Sequence, residues 1–138
     1  MTALPSIPVL VRTWFGDNAA WAALVEEVRT PSEDDFLANV TPVDDPAFEG
    51  LDAEALKELQ PDGPIVSFLA DEVTLTSADH PVLAVWVLPT AGSDTRDLRP
   101  FRVVPAELWS VENNINLANM DWADFRSSTG EDGVHRGF

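Results

Sequence analysis

VLAVWVL, at residues 82–88, is the longest apolar run in the chain and its strongest strand signal. The run is apolar on both faces and rich in β-branched valine, which is typical of a central strand with helices packed on either side. It is far too short to cross a bilayer. The pattern therefore predicts an α/β protein built around this strand.

Strand and helix patterns alternate on both sides of the central run. Apolar residues within 18–29 recur at helical spacing, with Asp17 as the N-cap and Pro31 just after the helix. A polar loop rich in helix and strand breakers follows at 89–100, so the next strand could also return as an antiparallel hairpin. The predicted strands are 7–13, 40–43, 65–70, 82–88 and 101–104, and the predicted helices are 18–29, 52–59, 106–112 and 122–128.

These elements predict a single α/β domain over residues 1–138. We expect a mainly parallel or mixed sheet of about five strands with helices on both faces. The segment 105–122 is divided, because one continuous helix would place Leu117 and Met120 opposite its other apolar residues. A break is predicted at Asn113 and Asn114, followed by a short strand over 115–117.

Charge is the one extreme feature of the composition. The chain has 24 Asp and Glu against 8 Lys and Arg, a formal net charge of -16. A field of this sign repels nucleic acid and anionic membranes and attracts basic proteins or cations. We therefore expect neither a nucleic-acid partner nor a membrane partner. Solubility is the simpler explanation of the acidity, and a basic protein partner is the functional one.

The reactive side chains needed for most catalytic signatures are missing. The chain has no cysteine, no glycine-rich phosphate loop and only two histidines, His80 and His135, the second of which is predicted to be exposed. These features predict no cofactor and favour a protein without enzymatic activity. The N-terminal sequence lacks a basic region followed by a long apolar stretch, so we expect a soluble cytoplasmic protein.

Several carboxylates follow predicted strands at one edge of the sheet. Asp44, Asp45 and Asp71 could together offer oxygen ligands to Mg²⁺ or Ca²⁺, because the carboxyl ends of parallel strands meet there. The alternative function is therefore an enzyme that binds a small ligand or a divalent metal. Structural roles compete with this interpretation, since Asp17 is a helix cap and Asp45 precedes a proline turn.

Two tryptophans at the ends of predicted elements are candidate contacts for a partner. Trp14 and Trp109 occupy positions where an indole can contact another protein as well as the core. Polar residues shortly after Trp109 extend this candidate surface. Three arginines in 96–102 form a small basic island, for which ion pairs with the acidic part of the chain are the favoured interpretation. The polar candidates are Glu112, Asn113 and Asn114.

Four stretches of the chain resemble a known family. They are FRVVPAELWSVENNINLANMDWADF (101–125), TPVDDP (41–46), DGVHRGF (132–138) and VLVRTWF (9–15). Together they look like an uncharacterised family of small acidic actinobacterial proteins, a domain-of-unknown-function family. The resemblance implies a bacterial cytoplasmic protein and directs attention to ELWSVENN (107–114). It carries no activity with it.

The leading hypothesis is a non-enzymatic acidic domain that binds a basic protein, with an inhibitor or immunity-like protein as one version. Its basis is the net charge, the missing catalytic motifs and the small size. The enzyme described above is the alternative. A third possibility is an accessory subunit held through Trp14 and Trp109.

Overall fold

In the computed structural model, which describes residues 4–138, six strands form one mixed, mostly parallel sheet. Their order across the sheet is β2-β1-β3-β4-β5-β6. Strand β4 runs antiparallel to both of its neighbours, whereas the pairs β1–β2, β1–β3 and β5–β6 are parallel. The strands are β1 (Val9–Arg12), β2 (Thr41–Val43), β3 (Val66–Ala70), β4 (Val82–Trp86), β5 (Phe101–Val103) and β6 (Val134–His135).

Helices cover both faces of this sheet. Helices α1, α3, α4 and α5 supply side chains to a core on one face, and α2 packs on the other face together with a short 3-10 helix at Pro46–Phe48. A second 3-10 helix, Pro105–Glu107, leads directly into α4. The helices are α1 (Asn18–Arg29), α2 (Ala53–Leu59), α3 (Glu72–Thr76), α4 (Leu108–Asn116) and α5 (Trp122–Arg126).

The central strands are apolar on both faces because each one feeds two cores. In β3, Phe68 points into the core under α1 and α4, whereas Leu69 joins the core under α2. Every residue of β1 and β3 is buried. Truncating a side chain such as Phe68 to alanine would cost roughly 3–5 kcal/mol, because it would leave a cavity in the core.

The predicted single α/β fold is confirmed, with two elements that were not predicted. The sheet has six strands rather than about five, because β6 adds to the edge beside β5. A short helix, α3, follows β3 and was not predicted. The β4–β5 connection is the antiparallel hairpin that the sequence left open.

The predicted break at Asn113 and Asn114 is wrong, and so is the strand predicted over 115–117. Helix α4 continues through both asparagines to Asn116 and buries Ile115 with Leu108 and Val111. The helix ends before Leu117, which is exposed, so no apolar residue has to lie on the wrong helical face. No helix in residues 4–138 is long and apolar enough to span a membrane.

Candidate functional site

The predicted acidic residues lie at one edge of the sheet, where β1, β2 and β3 end. We call the side chains of Arg12, Asp44, Asp45, Asp71 and Arg102 the sheet edge. Asp44 and Asp45 follow β2, and Asp71 follows β3, as the sequence predicted. Their contacts within the protein decide what they can do.

Asp71 is held by contacts from two sides. Arg102 donates to both of its carboxylate oxygens, with Nη1–Oδ1 at 3.0 Å and Nη2–Oδ2 at 2.8 Å. The backbone NH of Thr74 donates to Asp71 Oδ1 at 3.1 Å, which caps α3. Burial by itself raises the pKa of Asp71, but the hydrogen bonds from Arg102 and Thr74, with the arginine charge, bring that pKa below its ordinary value.

Asp44 pairs with an arginine that is almost completely buried. Arg12 is 3% exposed, and its Nη1 lies 3.4 Å from Asp44 Oδ1. The same guanidinium donates to Asn18 Oδ1 at 2.8 Å and lies over the Phe15 ring at 4.5 Å. Arg12 therefore joins the loops that follow β1 and β2.

The remaining acids of this region cap helices. Asp45 Oδ1 accepts from Ala47 NH at 2.9 Å, and Asp17 Oδ1 accepts from Ala20 NH at 3.0 Å. In residues 4–138 no three acidic or histidine side chains are placed to hold one metal ion. The carboxylates of the sheet edge thus cap helices and pair with the buried Arg12 and the partly buried Arg102.

Trp14 lies in the loop after β1, apart from the candidates on α4. Its indole covers Gly16, in the space that a Cβ at this position would occupy. It is partly buried against the core under α1. This packing gives Trp14 a structural role in shaping the β1–α1 loop.

Trp109, in contrast, faces a loop from another part of the chain. Its indole stacks on Phe36, with ring centroids 4.5 Å apart and planes 10° from parallel. Asn113 Nδ2 donates to Leu37 O at 3.3 Å and to Trp109 O at 2.7 Å. The first two turns of α4 therefore dock the segment that joins α1 to β2.

Glu112 anchors the segment between α1 and β2 through buried hydrogen bonds. The side chain is 5% exposed, and its Oε1 accepts from Asn39 NH at 2.6 Å. Its Oε2 accepts from Asn116 Nδ2 at 3.0 Å. Asn114 acts at the other end of α4, where its carbonyl accepts from the NH groups of Asn119 and Met120. Glu112 and Asn114 are thus engaged in holding the fold.

The loop 32–36 is closed on itself and presents Phe36 to solvent. Ser32 NH donates to Phe36 O at 2.8 Å, and Phe36 NH donates to Ser32 Oγ at 3.0 Å. Asp35 adopts a left-handed backbone conformation with φ of 64°, which aspartate tolerates better than most residues. Phe36 is held in place although it is 49% exposed.

An open groove runs between the end of α1, this loop and the start of α4. We call it the acidic groove; its volume is about 600 Å³. The Phe36–Trp109 stack forms an aromatic wall, and no basic residue lines it in the part of the chain that the structure describes. Its carboxylates come from Glu27, Glu33, Asp34 and Glu107.

Residues 7–138 match a protein family described as a domain of unknown function, DUF6924. The chain belongs to the DUF6924 family. The match spans nearly the whole chain and agrees with the resemblance to a family of unknown function. No curated protein matches the chain.

Glu107 is a partly buried carboxylate in the groove of this DUF6924 domain. Partial burial raises its pKa above the ordinary glutamate value. Its side chain makes no hydrogen bond or ion pair with any residue in 4–138. Glu27, on α1, contacts His80, with Oε1–Nδ1 at 2.9 Å. The groove therefore contains a partly buried carboxylate, Glu107, that pairs with no cationic side chain in residues 4–138.

The arginines of the basic island pair within the DUF6924 domain, as predicted. Arg102 pairs with Asp71, while Arg96 and Arg99 pair with Asp94 and Asp97 of their own loop. Arg96 also lies over the Trp86 ring at 4.8 Å. These pairs leave the island with little free positive charge.

His135 is buried, so the prediction that it is exposed is wrong. It belongs to β6, whose pairing with β5 carries it into the protein, where it is 0% exposed. Its Nδ1 lies 2.6 Å from Ser128 Oγ, and that hydroxyl donates to Phe125 O at 2.7 Å. Burial lowers the pKa of His135.

The groove of this DUF6924 domain was not predicted from the sequence. The stretch PSEDD at 31–35 reads as a solvated connection, and Phe36 and Leu37 look like the approach to β2. One signal could have indicated the site: two large apolar residues directly after an acidic, breaker-containing turn. Trp109, by contrast, was singled out and lines the groove.

Proposed function

We propose that this protein is a non-enzymatic acidic domain that binds a basic protein partner. An inhibitor or immunity-like protein is one concrete version of this role. The proposal includes the bacterial, actinobacterial and cytoplasmic origin that the sequence resemblance implies.

The observation that carries the proposal is a surplus of negative charge that the protein does not neutralise internally. The formal net charge is -16, and most of the basic side chains already contact carboxylates of the same chain. Many acids consequently face solvent without a cationic neighbour among the described residues, and Glu33 and Asp34 at the acidic groove are two of them. Such a surface accelerates encounter with a positively charged protein.

The same surface offers recognition as well as attraction. The acidic groove combines four carboxylates with an aromatic stack between Trp109 of α4 and the exposed Phe36, which belongs to a loop held by hydrogen bonds. Aromatic side chains held in place lose little conformational freedom on binding and contribute strongly to protein interfaces. The metal-dependent alternative has no comparable support, since the acids of the sheet edge are occupied by capping and by arginines.

The test is capture of a partner from extract of the native host at low ionic strength, followed by calorimetry with the purified candidate. We expect a basic protein whose dissociation constant rises by about tenfold or more as salt increases from roughly 0.05 to 0.3 M. An unrelated domain of similar net charge serves as the control bait. Capture of nothing beyond the control, or binding that salt leaves unchanged, contradicts the proposal.

A further inference from the structure

We propose that the acidic groove takes an arginine side chain of the basic partner. The inference rests on the proposed function and deepens it by naming the site and the group that the site recognises. It depends on the shape of the groove, its carboxylates and the way in which this chain holds its own arginines.

The aromatic wall suits the flat, delocalised guanidinium group. Phe36 is half-exposed and held by Ser32 on one side and by the Trp109 stack on the other. A guanidinium can lie against such rings, gaining cation–π attraction while its aliphatic stem covers apolar surface. Lysine matches this wall less well, because its ammonium is compact and more strongly hydrated.

The carboxylates supply the complementary charge. Glu107 lies at the side of the groove formed by Pro105–Glu107, and Glu27 lines it from the last turn of α1. Glu107 is partly buried and has no cationic partner in residues 4–138. A bound guanidinium would offset this charge and can donate to two carboxylate oxygens at once.

The protein uses the same combination of ring and carboxylate elsewhere for its own arginines. Arg96 lies over the Trp86 ring at 4.8 Å while its Nη2 donates to Asp94 at 2.6 Å. At the sheet edge, Arg12 lies over Phe15 and pairs with Asp44.

Within residues 4–138 no arginine lies over Phe36 or Trp109. The acidic groove therefore has the aromatic and acidic components of these two internal sites without an arginine from the same chain. An arginine from another protein completes the arrangement, and the charge of the surrounding surface favours its approach.

The experiment uses a peptide with three arginines separated by glycines and two matched peptides, one with citrulline and one with lysine in their place. Citrulline keeps the planar shape of arginine and removes the charge. Each peptide is titrated into the ¹⁵N-labelled full chain, and the indole NH of Trp109 is followed after assignment with Trp109→Phe. We expect the arginine peptide to shift this signal and to bind at least about fivefold more tightly than either control.

Matched variants locate the binding. Phe36→Ala and Glu107→Gln should each weaken binding of the arginine peptide by at least about threefold, since each removes one component of the groove. Phe36→Tyr keeps an aromatic ring and should bind like the natural protein. The controls are Leu117→Ala, an exposed apolar residue outside the groove, and Glu58→Gln, an exposed acid on α2. Neither control should change the affinity.

The outcomes separate this inference from the proposed function. Arginine-peptide binding that shifts other residues and leaves Trp109 unchanged overturns the groove as the site, as does equal binding of the citrulline peptide. Absence of peptide binding also overturns it, and a basic partner captured in the extract experiment leaves the proposed function standing. If Glu107→Gln and Phe36→Ala both leave the affinity for a captured partner unchanged, the groove is again overturned as the site, and the proposed function stands. Failure of the capture itself contradicts the proposed function.

Discussion

The sheet edge and the acidic groove are built from the same kinds of residue and differ in whether the chain supplies the cations. At the sheet edge, Arg102 and Arg12 neutralise Asp71 and Asp44. In the acidic groove, Glu107 lies beside Gly137 and forms no ion pair with an arginine among residues 4–138 of the same chain. The comparison teaches that the number of acids does not identify a binding site in so acidic a protein. The acids that lack internal partners are the informative ones.

The two regions should therefore respond in opposite ways when a negative charge is removed. Carboxylates that hold an arginine or cap a helix stabilise the folded state. A partly buried carboxylate without a cation destabilises it at neutral pH. Sites kept for binding often carry such a cost in stability.

The largest effect is expected for Asp71→Ala at the sheet edge. We expect a loss of about 2–3 kcal/mol in the free energy of unfolding, because Arg102 is left unpaired and α3 loses its cap. Urea denaturation at pH 7 measures it. The matched control is Asp62→Ala, an exposed turn residue that should change stability by less than about 0.5 kcal/mol. Equal effects of the two substitutions would show that the pair with Arg102 does not stabilise the fold.

The same variant carries a pH dependence whose sign is fixed by the lowered pKa. In the folded protein the pKa of Asp71 lies below its ordinary value of 3.8. Ionised Asp71 therefore contributes to the free energy of unfolding above pH 3.8, and this contribution is lost as the pH falls through the folded-state pKa. The difference in unfolding free energy between the natural protein and Asp71→Ala should shrink below about pH 3.8. A difference that stays constant from pH 7 to pH 2 contradicts the assignment.

Next in size is Glu112→Ala, which tests how the groove loop is anchored. The loss of the bonds to Asn39 NH and Asn116 Nδ2 should cost about 1–2 kcal/mol. Hydrogen exchange at the Asn39 amide should accelerate more than exchange in β1. Glu112→Gln keeps an acceptor for Asn39 and should lose less. If exchange at Asn39 is unchanged in both variants, the loop is held by other contacts.

A smaller effect is expected for Gly16→Ala, which tests the structural role of Trp14. A Cβ at this position overlaps the indole, so the ring must move, at a cost of about 1 kcal/mol. Thermal unfolding and tryptophan fluorescence report the change. Gly92→Ala is the matched control, because nothing surrounds a Cβ there. If Gly16→Ala unfolds like the control and keeps its fluorescence, Trp14 is not packed as described.

The smallest effect has the opposite sign. Glu107→Gln should stabilise the protein at pH 7 by up to about 0.5 kcal/mol, because burial penalises the charged form of this group. Charged Glu107 lowers the free energy of unfolding at pH values above its raised folded-state pKa. This loss of stability disappears as the pH falls below the ordinary pKa of 4.5. Urea denaturation at pH 7 and pH 4 measures it, with Glu58→Gln as the control. A destabilised Glu107→Gln protein would remove the contrast between the groove and the sheet edge.

Most of the fold follows from patterns within single segments. The run at 82–88 identified β4, and the spacing of Trp21, Leu24 and Val28 with the Asp17 cap identified α1. Prediction failed where neighbours far along the chain decide the outcome. Strand β6 is two residues long and exists because it pairs with β5. His135 is buried for the same reason.

The candidate site was predictable only in part. Trp109 lies at the start of a helix and was predicted as a candidate partner contact, as was Asn113 on the same helix. Phe36 comes from a connection more than seventy positions away, and its stack on Trp109 exists only after α1 and α4 pack on the same face of the sheet. No pattern of residues close in sequence predicts the contact between Phe36 and Trp109.

The sequence by itself determined the α/β class, most of the strand and helix positions and the large negative charge, because these depend on residue type and on short-range periodicity. Tertiary structure decided which acids pair with arginines of the same chain and which remain available to a partner. Asp71 and Glu107 look alike in a sequence, but only one of them lies within reach of an arginine. Distance and desolvation set the energy of a charge, and both are properties of the folded chain.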